Sequence, residues 1–219
     1  MSRSLGFLVA LCLAVFAAVF GYYAFERAAR VSRSEAAVVA HADEVFRSNT
    51  SVVAGNPQGD VSIVAFYDYN CPYCRKDAPE LNELVAKDGK VRLVLKELPV
   101  LGSDSEDAAR IVLAAEKQGR SFQLYRRLIG AQGRVNKARV LAVAGGLGLD
   151  TAQLERDMND PEITATLLAN TRLADALGVR GVPFYLVGDQ VVSEGEGDFY
   201  DALKNHVADI RENGCHATC

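Results

Sequence analysis

The sequence predicts an α/β fold interrupted by a helical insertion and preceded by one membrane-spanning or signal-anchor helix. Three observations predict it. Residues 5–25 form an almost unbroken apolar run. Residues 61–67 and 91–98 read as strands on either side of a segment with helical periodicity, a β-α-β order. From 103 to 178 no strand signal occurs, and strands return only at 184–187 and 190–193. At 219 residues and 49% apolar content, the chain can bury one good core with a small subdomain. Its net charge of −4, with Lys and Arg interspersed, supplies no basic stripe, so nucleic acid is excluded as a partner.

The apolar run is long enough to cross a bilayer as a helix. Two readings stand: an uncleaved anchor occupying residues 1–33, or a signal peptide, for which cleavage after Gly21 has a poor flanking sequence. Arg27, Arg30 and Arg33 outnumber the positive charge on the other side of the run, which by the positive-inside rule argues against export of the remaining chain. Cysteine usage argues for export and outweighs the charge signal. Cys12 is expected to be an ordinary lipid-facing residue.

Residues 34–50 are expected to hold a helix capped by Ser34, with Val38, Val39, Ala42, Val45 and Phe46 on one face. The seven-residue spacing of Val31, Val38 and Val45 hints at a coiled-coil seam. Polar Ser34 and His41 favour core packing instead. A domain of 51–214 comes next, opening with a short strand at 51–54 and a turn-rich 55–60 segment.

The strand at 61–67 leads into Asp68-Tyr69-Asn70-Cys71-Pro72-Tyr73-Cys74, and residues 76–86 then place Ala78, Leu81, Leu84 and Val85 at helical spacing. Cys71 thus arrives at a helix N-terminus, where free N–H groups and the helix dipole favour a thiolate. Cys74 comes one turn later, within disulfide reach, and Pro72 suits the first helical position. The CPYC stretch reads as a redox dithiol. A static disulfide and half of a zinc site are the competing readings. Asp68 is either near the dithiol or a solvated strand-end acid, and Tyr67 and Tyr69 carry no assigned chemistry.

In the insertion, about 103–178, Ser103 and Glu106 suggest a capping box for a first helix. Further helices are expected near 122–128, 138–144 and 151–158. A last one spans 161–177, capped by Asp160 with Pro161 in its first turn. Gly188-Asp189 signals a hairpin between the returning strands, and Phe199, Leu203, Val207 and Ile210 mark a final helix ending at Asn213-Gly214. The tail, 215–219, contains Cys215, His216 and Cys219. A Cys215–Cys219 disulfide, a second redox pair and metal ligation all remain open there.

The order of strand, CxxC helix, strand, helical insertion, hairpin and helix resembles the DsbA-like thiol:disulfide oxidoreductases, a thioredoxin-like fold with a helical insertion. The stretch from Phe66 to Cys74, the segment Leu98-Pro99-Val100-Leu101-Gly102, and Gly178-Val179-Arg180-Gly181-Val182-Pro183-Phe184 carry the resemblance. It extends over about 51–213 and is nearest to the suppressor-of-copper-sensitivity branch. It implies catalytic Cys71 and Cys74 joined in a reversible Cys71–Cys74 disulfide, with Cys71 the more exposed sulfur. Pro72 and Tyr73 would tune the redox potential. Val182 and Pro183 would bind substrate, with Pro183 cis beside the dithiol. It further implies client proteins bearing thiols or disulfides and a membrane redox partner. The domain would lie in the periplasm of a bacterium, held at the inner membrane or released by signal cleavage.

No cofactor and no metal is expected at the site. An oxidase is the leading expectation. An isomerase or reductase of the same fold, and a cysteine-based metal-binding or metal-tolerance protein, are the alternatives. One departure from the family stands out: Ala65 occupies the position of a buried glutamate that serves the second cysteine, leaving Glu97, Lys96 or water to replace it.

Overall fold

A computed structural model describes residues 2–193 and 197–215. A long helix, α1 (Ser2–Ala40), and a short one, α2 (Ala42–Phe46), precede strand β1 (Val52–Gly55) and strand β2 (Val61–Tyr67). Helix α3 (Pro72–Asp88) crosses to β3 (Val91–Glu97). Then come α4 (Ser103–Ala114), a 3-10 turn (Ala115–Gln118), α5 (Ser121–Ile129), α6 (Lys137–Gly146), α7 (Thr151–Asp157) and α8 (Pro161–Ala176). The hairpin β4 (Phe184–Val187) and β5 (Gln190–Val191) leads to α9 (Phe199–Asn213).

The sheet has the order β1-β3-β2-β4-β5, with β2 and β3 parallel and the other pairs antiparallel. All seven residues of β2 are buried, as a central strand covered on both faces requires. Register alternation divides them. Ile63, Ala65 and Tyr67 join Leu93 and Leu95 in a core with α3, α9 and the insertion. Val64 and Phe66 join Val94 and Leu186 on the other face, against α8, α2 and the end of α1. Gly59 lies where the chain runs hard against β3: a Cβ there would sit 2.3 Å from the Lys90 carbonyl oxygen, so only glycine fits.

Several local expectations change. Ser34 caps nothing, because α1 continues through it to Ala40 and the helix expected within 34–50 is broken at His41 before α2. The 33/34 boundary therefore falls inside one helix. Val38 and Val45 are fully buried, with Val31 packed beside them, on the sheet. The Ser103–Glu106 capping box does not form: Gly102, at φ 99°, is the N-cap, and no side chain caps α4. Ser103 is therefore already helical, and Glu106 pairs with Arg110 at 2.8 Å. At α8 the cap is the expected one, with Asp160 accepting from the Glu162 N–H after Pro161 opens the helix.

Residues 11–40 are long and apolar enough to cross a membrane. Leu13, Phe16, Phe20 and Phe25 are each more than 60% exposed, so no described residue covers this part of α1.

Candidate active site

The site is built where β2 ends. Asp68 Oδ1 accepts from the Asn70 N–H at 2.7 Å, which folds the chain into a tight turn, and the Cys71 N–H donates back to the Asp68 carbonyl at 3.2 Å. Cys71 is then the N-cap of α3 in extended conformation, and Pro72 occupies the first turn. The Cys74 N–H donates to Cys71 Sγ at 3.4 Å, so a helix-end donor points at that sulfur.

Both cysteines are free thiols in this structure. Cys71 was expected to be the exposed sulfur, yet it is only 3% exposed, against 1% for Cys74. The cause is the loop before β4. The Cys71 thiol donates to the Val182 carbonyl at 3.3 Å, and the Val182-Pro183 bond is cis. The structure therefore brings Cys71, Cys74, Val182 and Pro183 together. Tyr73 stands 67% exposed at the rim, and Pro72 is exposed beside it. A cleft of about 510 Å3 lies between Tyr73, Lys76, Asp77, Pro183, Tyr185 and Phe199.

Behind the dithiol, the solvated-acid reading of Asp68 fails. Asp68 is 1% exposed, and its Oδ2 accepts from the Val100 and Leu101 N–H groups at 2.9 and 3.0 Å, while Ser105 Oγ donates to Oδ1 at 2.7 Å. This carboxylate ties the turn before Cys71 to the start of the insertion. Asn70 ties it again: Nδ2 donates to the Val135 carbonyl at 3.0 Å and Oδ1 accepts from the Val135 N–H at 2.8 Å, in the manner of a strand pair. Arg75 adds bonds to the carbonyls of Tyr69 at 2.5 Å and Gly133 at 2.6 Å. Nothing in sequence spacing marks the distant partners, because Val100, Leu101, Ser105, Gly133 and Val135 lie 32 to 65 residues from the groups they bond.

The position opposite Ala65 is also resolved. Ala65 pairs with Leu95 and Tyr67 with Glu97, so Glu97 projects to the same face of the sheet as Ala65. Lys96 projects to the other face, where its Nζ donates to the Glu44 carbonyl at 2.7 Å. Burial, helped by the nearby Arg92 charge, lowers Lys96 to about 8. Glu97 is fully enclosed and accepts from the phenols of Tyr67 and Tyr69 at 2.5 and 2.7 Å. Burial raises it to about 8, despite those two donors, and the charge of Asp68 adds to the rise.

The same burial, with Glu97 alongside, drives both phenols well above their ordinary value. Tyr125 packs edge-on to Tyr67 at 5.0 Å. The Cys74 thiol is likewise pushed up by burial, opposed by a hydrogen bond from the Asp68 backbone. Tyr67 and Tyr69, given no chemistry from sequence, are thus the clamp on the buried acid. Strand parity was the signal: 65 and 67 face the same way on one strand as 95 and 97 do on its parallel neighbour.

In the tail, Cys215 is disulfide-bonded, while its expected partner Cys219 and His216 lie outside the described residues. Among the described residues, no group of three or more His, Cys, Asp or Glu side chains is arranged to hold a metal. His41 bonds Glu44 at 3.1 Å and His206 bonds Gln190 at 2.6 Å, both far from the thiols in sequence.

Known proteins share this fold. The DSBA-like thioredoxin domain family matches residues 62–208, more than half of the chain. A solved thioredoxin-like oxidoreductase from Silicibacter pomeroyi DSS-3 is 42% identical, covers 78% of this chain and 97% of its own, and superposes with a TM-score of 0.74. The probable disulfide bond formation protein D of Bacillus anthracis is 26% identical over 178 residues, 75% of this chain and 80% of that protein. The Na(+)/H(+) antiporter NhaA 3 of Salinispora tropica is 28% identical over 137 residues. The chain spans 21% of that antiporter's length.

Proposed function

The chain belongs to the DSBA-like thioredoxin domain family, and from that premise we propose that it is an exported, membrane-anchored thiol:disulfide oxidoreductase that oxidises client proteins. The observation that carries this reading is the junction of Cys71 with Val182: the sulfur at a helix N-terminus lies 3.3 Å from a backbone carbonyl bordering an open cleft.

In the oxidising direction, the protein begins with a Cys71–Cys74 disulfide. A client thiolate attacks Cys71 Sγ along the cleft, forming a mixed disulfide and breaking the Cys71–Cys74 bond. Cys74 leaves as a thiolate and takes up a proton, which its burial strongly favours. A second client thiolate attacks the client sulfur of the mixed disulfide. Cys71 is released as a thiolate, and the client holds the new disulfide. Two electrons have passed to the protein, and a membrane partner carrying an oxidised disulfide removes them.

The residues divide the work. Cys71 is the attacked sulfur and Cys74 the leaving and resolving one. Val182 and Pro183 offer a backbone edge to the client, and Pro72 and Tyr73 form the rim that adjusts the potential. The Cys74 N–H directed at Cys71 Sγ serves a thiolate better than a disulfide sulfur, which stabilises the reduced form and makes the disulfide oxidising. The exposed apolar stretch of α1 supports a membrane anchor, with the cysteines on the oxidising side.

Equilibration of Cys71 and Cys74 in glutathione buffers tests the direction. An oxidase gives a potential of roughly −120 mV, whereas a value of roughly −270 mV replaces the oxidase by a reductase.

A further inference from the structure

A second cavity, of about 860 Å3, shares Val182 and Pro183 with the cleft and lies between that loop and α1. Arg30 and Arg33 line it from α1 and Arg180 from the loop. Arg27 lines it too but is already engaged. Among the described residues that line the cavity, none is acidic. Arg30 and Arg33 each donate through Nε to their own helix, at the Glu26 and Ala29 carbonyls, and no carboxylate among the described residues pairs with them or with Arg180. By contrast Arg47, Arg110, Arg134 and Arg211 all have carboxylate partners. Three cations facing one cavity, with no acidic side chain among the described residues that line it, form a site for an anion.

The position of this site along α1 indicates which anion. Exposed Phe16 and Phe20 are followed by exposed Tyr22 and Tyr23, the residue type that marks a membrane interface, and then by Phe25. At about 1.5 Å per residue, Arg30 and Arg33 lie roughly 8 and 12 Å beyond Phe25. Headgroups occupy roughly 5 to 8 Å outside the hydrocarbon, and an arginine side chain spans the remainder. One turn further on, Val38 is buried against the sheet, so the helix that leaves the apolar stretch is the same one that holds the domain.

We propose that this cavity binds the phosphate of an anionic phospholipid headgroup, and thereby holds the Val182-Pro183 loop at the membrane surface. The proposal rests on α1 being retained as an anchor. It also accounts for arginines that the positive-inside rule disfavours on the exported side: there they are ligands. The dithiol would then face partners at the bilayer surface.

The test uses the full chain purified in detergent, with lipid retention read by native mass spectrometry against equal amounts of phosphatidylglycerol and phosphatidylcholine. Retention needs no thiol chemistry, so it is independent of the redox assignment. The expected result is selective retention of phosphatidylglycerol, falling about fivefold for each of Arg30→Gln, Arg33→Gln and Arg180→Gln. Arg180→Gln is decisive, because a merely basic helix end would keep its selectivity without Arg180. Unchanged selectivity in that variant overturns the proposal, as does full displacement by millimolar inorganic phosphate, which would mark a free-phosphate site. Equal retention of both lipids, with Arg180→Gln slowing exchange only on acidic client peptides, assigns the cavity to clients instead. Alkaline extraction of membranes separates the two premises. A chain extracted into solution overturns the anchor and the proposal together, and one that stays without lipid preference overturns the proposal alone.

Discussion

The thiol of Cys71 and the carbonyl of Val182 meet at 3.3 Å although 111 residues separate them. Two distant segments therefore make one site: a helix N-terminus supplies the sulfur, and the loop before β4 supplies a backbone edge across it. An incoming client strand would compete for that edge, so attack on the sulfur and docking of the client are coupled by geometry.

Substituting the two cysteines should separate their roles. Cys74→Ser is expected to accumulate a mixed disulfide with a client, because the resolving sulfur is gone, while Cys71→Ser should form none. Non-reducing electrophoresis after mixing with a disulfide-bearing client reads both outcomes. Equal adducts from the two variants would reverse the assignment of Cys71 as the attacked sulfur.

Removing the Asn70 amide should loosen the dithiol turn from the insertion. Asn70→Ala strands the Val135 N–H and carbonyl, and Val135 is fully buried. Two stranded groups at roughly 1 to 3 kcal/mol each give an expected loss of about 2 to 6 kcal/mol, measured by urea unfolding. Faster amide exchange should appear around 131–136. A change below about 0.5 kcal/mol would show that water replaces the amide without cost.

Glu97 should leave a signature in the pH dependence of stability. Burial raises it from 4.5 to about 8, so between those values the folded chain keeps a proton that the unfolded chain has released. Stability then falls as pH rises through this window, by about 3 to 5 kcal/mol. Glu97→Gln, which still accepts from Tyr67 and Tyr69, should show a flatter profile from pH 5 to 8. Lys96 acts in a different window: lowered from 10.5 to about 8, it adds stability as pH rises between those values. Parallel profiles for wild type and Glu97→Gln between pH 5 and 8 would mean that the Glu97 carboxyl is hydrated.

The tail disulfide should be structural. Cys215→Ser is expected to leave the rate of dithiol exchange within about twofold. It should lower stability by about 2 kcal/mol or less, given the short loop to the expected partner Cys219. Stopped-flow exchange with a model peptide checks the first and thermal unfolding the second. A large loss of exchange rate would instead make Cys215 part of an electron path.

The local elements were legible in the sequence because each depends on near neighbours. A β-branched and aromatic run gave β2, alternation of apolar with charged residues gave β3, an Asp-Pro pair gave the start of α8, and Gly188-Asp189 gave the hairpin. The dithiol at a strand-to-helix turn was legible for the same reason: Cys71, Pro72 and Cys74 lie within one helical turn. Where a competing local choice decided the outcome, sequence reasoning slipped by a residue or more, as at Gly102 in place of a Ser103 cap and in the run of α1 through Ser34.

Long-range closure could not be read in advance. The sequence alone determined which sulfur begins the helix and that position 65 lacks a carboxylate. Only the tertiary structure decided that Val182 covers Cys71, that Asp68 and Asn70 fasten the dithiol to the insertion, and that Glu97 faces the same side as Ala65 within a clamp of phenols. The physical reason is register. Pairing β2 with β3 in parallel fixes which side chains share a face, and that pairing belongs to the assembled sheet rather than to either strand.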